Sequence, residues 1–167
     1  MATASMNYGS WTAITITLGA LPTSATLLVG RESTVVDNTS NLFLDVLCGG
    51  KIETGTSPTD LKSILIFVYG DVTGTTTYPD VLDGTDSAET FTDEESRNSA
   101  MKLAAVIATD ATSDQTYWVH PFSIASLFGG VMPQKWGLFI THDTAVNLNS
   151  TDGNHVFSYI GTKIDSA

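Results

Sequence analysis

The sequence predicts an all-β fold: an antiparallel β-sandwich, jelly-roll-like, with one short helix and a long acidic loop. In short segments apolar residues alternate with polar ones, as in Ile14, Ile16 and Leu18 among threonines. This alternation is typical of strands with one face in a core and the other in solvent. Turn-forming residues separate the segments at short intervals, and no long amphipathic helix pattern is present.

The segments that carry this pattern give eight or nine expected strands. We place them at 11–18, 25–29, 33–36, 41–48, 62–70, 102–109, 115–120, 136–142 and 154–160. Two of these segments, 62–69 and 136–140, are almost continuously apolar. Continuous apolar character predicts central strands that are covered on both faces.

Two regions depart from the strand pattern. Segment 70–99 contains eight acidic residues and a single basic one, Arg97, and loops of this length in compact domains are usually functional or disordered. Within it, the capping-box pattern of residues 92–95 predicts a helical turn at 93–100. In segment 121–130 the helical spacing of Ile124, Leu127 and Phe128 before a glycine pair predicts a short helix that closes one end of the sandwich.

Length and charge restrict the domain organisation and the partners. The chain of 167 residues suits a single core, which we divide into an N-terminal arm at 1–10 and a β-sandwich domain at 11–167. The net charge of −11 repels a phosphate backbone, so we expect no nucleic-acid partner. Its simplest role is to keep the protein soluble.

The cysteine content and the N-terminus indicate the compartment. Cys48 is the only cysteine, so the fold is independent of any intrachain disulfide, and its place in the strand alternation predicts a buried, unreactive thiol. Residues 1–5 carry no basic residue, and no segment approaches the ~20 apolar residues of a membrane span. We therefore expect no membrane partner and synthesis in a cytoplasm.

Motifs of catalysis are missing from the sequence. It contains no Gly-x-Ser-x-Gly elbow, phosphate-binding loop or dinucleotide fingerprint, which argues against the common hydrolases and nucleotide enzymes. The histidines at 120, 142 and 155 are too widely spaced for a local metal motif. His142 is best interpreted as a hydrogen-bonded surface histidine. We expect no enzyme, no catalytic residue and no cofactor.

The acidic residues leave two alternatives open. Asp80, Asp83 and Asp86 surround a glycine and offer oxygen ligands for calcium, but they lack the ligand spacing of an EF-hand, so solvated turn acids and no metal are favoured. A pair of carboxylates of the glycosidase type is compatible with the sequence. The aromatic residues suit a sugar groove, although core or interface burial is the better interpretation.

Several longer stretches resemble a known family. They are 30–39, 42–46, 49–52, 54–58, 78–84, 103–107, 136–142 and 147–150. Together they resemble small virion structural proteins of tailed bacteriophages, with similarity from about residue 10 to 160. The resemblance covers strands and turns and brings no catalytic signature.

The resemblance implies a function and a location. It implies a capsid decoration (cement) protein that binds the outside of the capsid and stabilises contacts between capsomers. The alternative is a tail or baseplate component with a receptor- or glycan-binding role. It further implies a homotrimer, the major capsid protein as partner, and a place on the capsid exterior of the virion.

Interface residues are predicted from their chemical type. Met6, Tyr8 and Trp11 lie in or beside the N-terminal arm and are of the types enriched at interface hot spots, although a frayed terminus is the alternative. The acidic loop is the second predicted interface. There Tyr78 is the aromatic candidate, and Arg31 and Arg97 are candidate ion-pair anchors.

Overall fold

The computed structural model describes residues 4–73 and 77–166. In chain order its elements are β1 (Ala4–Tyr8), β2 (Thr12–Ala13), β3 (Val29–Glu32), β4 (Val36–Asp37), β5 (Asp45–Glu53), β6 (Lys62–Gly70), β7 (Ala88–Thr90), α1 (Glu94–Ala100), β8 (Lys102–Thr109), β9 (Thr116–Ser123), α2 (Ile124–Leu127), β10 (Lys135–His142), a 3-10 helix (Asp152–Asn154) and β11 (Val156–Ser166). In this part of the chain no helix is long and apolar enough to span a membrane.

The strands form two antiparallel sheets. Sheet A has the order β1-β11-β5-β9, with β2 also pairing with β11. Sheet B has the order β7-β3-β10-β6-β8, with β4 also pairing with β10. The prediction of an all-β antiparallel sandwich is confirmed, while the jelly-roll connectivity stays a prediction.

The core between the sheets is built from one face of each. Sheet B contributes Ile64, Ile66, Val68, Trp136, Leu138 and Ile140, and sheet A contributes Val46, Cys48, Ile52 and Phe157. All ten are almost fully inaccessible to solvent. The predicted burial of Cys48 is confirmed, and this burial raises the pKa of its thiol far above the usual range, as expected for a thiolate held away from water.

Strand prediction succeeds for the long central strands and fails near the N-terminus. The predicted bounds of β6 and β8 agree with the structure, and β10 differs by one residue. The predicted strand 11–18 is wrong, because only Thr12–Ala13 forms a strand, although the Ile14 N–H also donates to the Phe157 carbonyl at 2.9 Å. Further on, the backbone N–H of Thr17 donates to an Asp86 side-chain oxygen at 3.0 Å. A side chain thus takes the place of a neighbouring strand in this segment.

The acidic excursion is an ordered layer over the outer face of sheet B. We call residues 77–101 the acidic cover. It buries Tyr78, Leu82, Phe91 and Met101 against Phe67, Tyr69 and Phe139 of sheet B. Phe91 meets Phe139 edge to face at 5.3 Å between ring centroids, a favourable aromatic geometry. The prediction that β6 and β10 are covered on both faces is therefore confirmed.

A buried carboxylate joins the acidic cover to sheet B. Glu32 accepts hydrogen bonds from the Tyr69 hydroxyl and, within the cover, from the backbone N–H groups of Gly84 (2.6 Å) and Asp83 (3.1 Å). Glu32 and Tyr69 are both completely buried. Burial raises the pKa of Glu32, and the three hydrogen bonds counteract this only in part. Removing this carboxyl leaves several donors unpaired, so it is an anchor of the cover.

Both short helices occur where the sequence predicts helical turns. Helix α1 starts after Asp93, whose side chain accepts from the backbone N–H of Ser96 at 2.7 Å. The cap is thus one residue later than the predicted Thr92. Helix α2 is capped by Ser123, buries Ile124 and is followed by two glycines with positive φ, as expected at a helix end.

Candidate functional site: the apolar patch beside sheet A

The two ends of the described chain form a ribbon that projects from sheet A. Residues Ala4–Tyr8 pair with residues 162–166, whereas β5 begins opposite Thr162. Beyond that point β11 pairs with β1 alone among the described residues. We call this pair the terminal ribbon. A two-stranded ribbon without further strands is only marginally stable in water, so it is suited to pack against a partner.

One face of the terminal ribbon is apolar and points away from the core. On β11, Phe157 points into the core and is buried, so the even-numbered Ile164 lies on the opposite, outer face. Met6 is directly opposite Ile164, and Tyr8 is opposite Thr162 on the same face. Met6, Tyr8 and Ile164 are 68%, 60% and 57% exposed.

The other face of the ribbon is polar and internally bonded. Asn7 donates from its side-chain amide to Asp165 at 2.9 Å, and Lys163 lies 3.3 Å from the same carboxylate. The hydrogen bond from Asn7 is the main reason that the pKa of Asp165 is lowered. The ribbon therefore places its apolar side chains together on the outer face of sheet A.

A rigid loop adds two leucines to this surface. The Asn38 side chain donates to the carbonyl of Phe43 at 3.0 Å and accepts from the N–H of the same residue at 2.9 Å. Leu42 has a φ of +54°, a left-handed conformation that bulky residues rarely adopt. Its side chain is 70% exposed, and that of Leu44 is also exposed. Local bonding thus holds two large apolar side chains in solvent.

Two shallow depressions connect the loop with the ribbon. The larger, about 550 Å³, lies between Leu42 and Val131 and is also lined by Leu44. The second, about 370 Å³, is lined by Leu44 together with Met6 and Tyr8. We call the surface formed by these residues and their neighbour on the ribbon the apolar patch: Met6, Tyr8, Leu42, Leu44, Val131 and Ile164. Contiguous apolar surface of this kind marks interaction sites on soluble proteins.

Exposed tryptophans continue the apolar character across sheet A. Trp11, between β1 and β2, is 54% exposed, and Trp118 on β9 is more exposed still. Trp118 pairs with Lys51, which in turn pairs with the exposed Val156. Large amphipathic aromatic side chains at a surface suit contact with protein or with sugar rings.

The predicted interface residues divide into two groups. Met6, Tyr8 and Trp11 are exposed as the prediction requires, although residues 1–3 of the predicted arm lie outside the described residues. The prediction for Tyr78 is wrong, because its ring packs edge to face on Tyr69 at 5.6 Å within the acidic cover. The prediction of Arg97 as an ion-pair anchor is also wrong, because its side chain is buried and forms no ion pair with the described residues.

Arg31 forms an ion pair, but within its own chain. Its Nε lies 2.6 Å from Asp86 of the acidic cover, and it also donates to the Asp86 carbonyl at 2.8 Å. Partial burial of Asp86 opposes ionisation, but hydrogen bonds from Arg31 and Thr17 lower the pKa of this carboxyl overall. Arg31 therefore helps to fasten the cover to β3.

The acids considered for calcium do not converge on one point. Asp83 binds the hydroxyl and N–H of Thr85, and Asp86 binds Arg31. A different trio, Glu32, Asp83 and Glu89, brings carboxylate oxygens within 4.8 Å of one another. Because Glu32 already accepts three hydrogen bonds, this cluster is explained by its structural role.

The prediction of His142 as a surface histidine is wrong, because this residue is fully buried. Its ring nitrogens lie 2.9 Å from the Thr144 hydroxyl and 3.1 Å from the Leu21 carbonyl. Burial lowers its pKa, as expected when an imidazolium must be desolvated. His155 likewise bonds to backbone, at Glu53 and Asn149. Both residues therefore serve the fold.

Sequence reasoning identifies only two of the six residues of the apolar patch, Met6 and Tyr8. The alternation pattern places Leu42 and Leu44 in a strand and indicates no role for Val131 and Ile164. The two leucines that flank Phe43 follow an Asp-Asn turn signal, which favours a loop over a strand at this point. The sequence does not show that the Asn38 side chain binds the backbone of Phe43 and so fixes this loop.

Comparisons of the chain with protein-family models, curated proteins and solved structures give no match.

Proposed function

We propose that this chain is a structural protein of a phage virion that decorates the outside of the capsid and stabilises contacts between capsomers. The observation that carries the proposal is the apolar patch, held in solvent by the terminal ribbon and by the clamped loop at Asn38. The sequence resemblance to small virion structural proteins supplies the setting. The patch docks on the major capsid protein.

The charge distribution supports one orientation on the particle. The exposed acids Asp93, Glu94 and Glu95 belong to the acidic cover on sheet B, which packs on the opposite side of the sandwich from the outer face of sheet A. With the patch against the capsid, the acids face solvent. Like charges on neighbouring virions then repel each other and limit aggregation.

The energetics of docking favour a multivalent arrangement. Full burial of one large apolar side chain contributes about 1.5–3 kcal/mol, but association also costs translational and rotational freedom. Simultaneous contact with several capsid subunits lowers that cost for every contact after the first. The homotrimer that the resemblance implies extends the same advantage.

Capsid binding is tested by co-sedimentation with virus particles stripped of this protein. We expect saturable binding and greater resistance of the particles to heat. Leu42→Asp should weaken binding by about tenfold or more, because it places a charge within the desolvated contact. Absence of binding by the unmodified protein contradicts the proposal.

The chain offers a matched control for this variant. Leu61 is also highly exposed and also has a positive φ, +56°. It precedes β6, and the nine residues of β6 separate it by about 30 Å from the end of the sandwich that carries Leu42. Leu61→Asp should bind capsids like the unmodified chain. Equal loss in both variants points to a general charge effect instead of the patch.

A tail or baseplate role with glycan binding is the second candidate. The observation that favours it is the exposure of Trp11 and Trp118 on sheet A, since aromatic faces stack on sugar rings. A glycan screen with the unmodified chain and with Trp118→Ala tests it. A hit that Trp118→Ala removes, together with absence of capsid binding, selects this role over capsid decoration.

A further inference from the structure

Arg97 is a buried cation in a strongly acidic protein. The chain has 18 acidic residues and only seven lysines and arginines, and Arg97 is 5% exposed. Arginine is almost never buried to this degree without a partner of opposite charge. A guanidinium in this position is therefore expected to bind an anion.

Among the residues that the structure describes, the Arg97 guanidinium donates hydrogen bonds only to neutral groups. Nη1 donates to the carbonyl of Leu27 at 2.8 Å, and Nε and Nη2 donate to the side-chain oxygen of Asn98 at 3.1 and 3.0 Å. Its Cζ lies 5.1 Å from the ring centroid of Phe67. In the described part of the chain the ion pairs are made by other cations: Arg31, Lys62, Lys135 and Lys163.

The guanidinium retains capacity for a further acceptor. Three of its five N–H groups donate to Leu27 and Asn98, which leaves two. Arginine binds a carboxylate more strongly than a neutral acceptor, because the hydrogen bonds are charge-assisted. The unused donors and the uncompensated charge both favour an anionic ligand.

A depression of about 310 Å³ lies beside Arg97 on the outer face of sheet B. It is lined by Leu65, Phe67, Met101 and Leu103 together with Arg97 and Asn98. Leu103 is half exposed and stands at its rim, whereas Phe67 and Met101 are buried. An apolar surface with one cationic group at its wall matches a ligand that has an apolar chain and a single anionic end.

We propose that this depression binds a small aliphatic carboxylate, with its carboxylate on the guanidinium of Arg97 and its chain against Leu65, Phe67 and Leu103. The site lies on sheet B, apart from the apolar patch beside sheet A. It is therefore independent of the proposed capsid contact. The ligand supplies a carboxylate partner, which the hydrogen bonds and ion pairs of the described residues do not give to Arg97.

NMR titration of the isotope-labelled protein with sodium hexanoate tests the proposal. We expect saturable shifts of the amide signals of Asn98 and Leu103. Hexanol, which has the same chain without the charge, should bind about tenfold more weakly or not at all, since it gains no charge-assisted bond. Absence of saturable shifts with hexanoate, or equal binding of hexanol, overturns the proposal.

Variants at the rim identify the site without disturbing the buried arginine. Leu103→Glu places a competing carboxylate at the depression and should reduce hexanoate affinity by about tenfold. Ala108→Glu is the matched control, because Ala108 is also exposed on β8 but pairs with Ser63 and does not line the depression. Equal affinity in the two variants contradicts the assignment.

Discussion

Both outer faces of the sandwich carry large apolar side chains, but these side chains are buried on one face and exposed on the other. On sheet B, the outward-facing Phe67, Tyr69 and Phe139 are buried beneath the acidic cover. On sheet A, the outward-facing Met6, Tyr8 and Ile164 remain in solvent. Apolar residues on an outer face thus complete the fold on one side and leave a contact surface on the other.

The two faces differ in whether a described segment of the chain covers them. The acidic cover, residues 77–101, packs over sheet B. The backbone N–H groups of Asp83 and Gly84 donate to Glu32, and Asp86 forms an ion pair with Arg31. No described segment crosses the apolar patch. An exposed apolar surface that no described segment covers is expected of a face that binds another molecule.

The largest contrast is expected from removing one apolar side chain on each side. Phe91→Ala in the cover should lower the free energy of unfolding by about 3–5 kcal/mol, because it leaves a cavity against Phe139. Leu42→Ala in the patch should change it by about 0.5 kcal/mol or less, since that side chain is exposed in the free protein. Urea denaturation of both variants measures the two values.

The opposite result would break the comparison. If Leu42→Ala destabilises the free protein as much as Phe91→Ala, the patch belongs to the core and is not a docking surface. Phe91→Leu provides a graded control, because it keeps part of the buried volume and should cost less than the alanine variant.

A smaller effect is expected from removing the anchor of the cover. Glu32→Ala leaves the backbone N–H groups of Asp83 and Gly84 without their acceptor, and should cost about 2–3 kcal/mol. Glu95→Ala, an exposed acid of the same cover, should cost about 0.5 kcal/mol or less. Thermal unfolding of both variants measures the effect, and similar melting temperatures would contradict an anchoring role.

The smallest effect is a pH dependence that originates at Glu32. Burial raises its folded pKa above the ordinary 4.5, so its contribution to stability is complete below pH 4.5 and declines as pH rises through the folded value. Glu32→Gln does not titrate. The unfolding free energy of the unmodified chain should therefore fall relative to this variant as pH rises above 4.5, as measured by urea denaturation. A constant difference argues against a raised pKa.

The sequence predicts those parts of the fold that depend on local pattern. The continuous apolar runs of β6 and β10 identify two central strands, and α1 and α2 form where a capping pattern and a helical spacing predict them. Strand β1 and the bond of Thr17 to a side chain in place of a strand depend on distant partners, β11 and Asp86. Sequence periodicity in one segment does not encode such partners.

The candidate site is less predictable for a related reason. Residue type alone identifies Met6, Tyr8 and Trp11 as interface candidates, and the same reasoning selects Tyr78 and Arg97, which are buried. An aromatic or an arginine is equally suited to a core and to an interface. Only the placement of the cover over sheet B decides between the two.

The strand order has a consequence for how the chain folds during synthesis. The central strand of sheet B is β10, and β11 joins both β1 and β2 to β5 in sheet A. Neither sheet is complete until residues 135–166 have left the ribosome. We therefore expect folding to be late and slow, because loop closure between distant segments precedes the contacts that stabilise them. Until then β5 pairs only with β9 and β6 only with β8, and the open edges that β11 and β10 later cover favour aggregation.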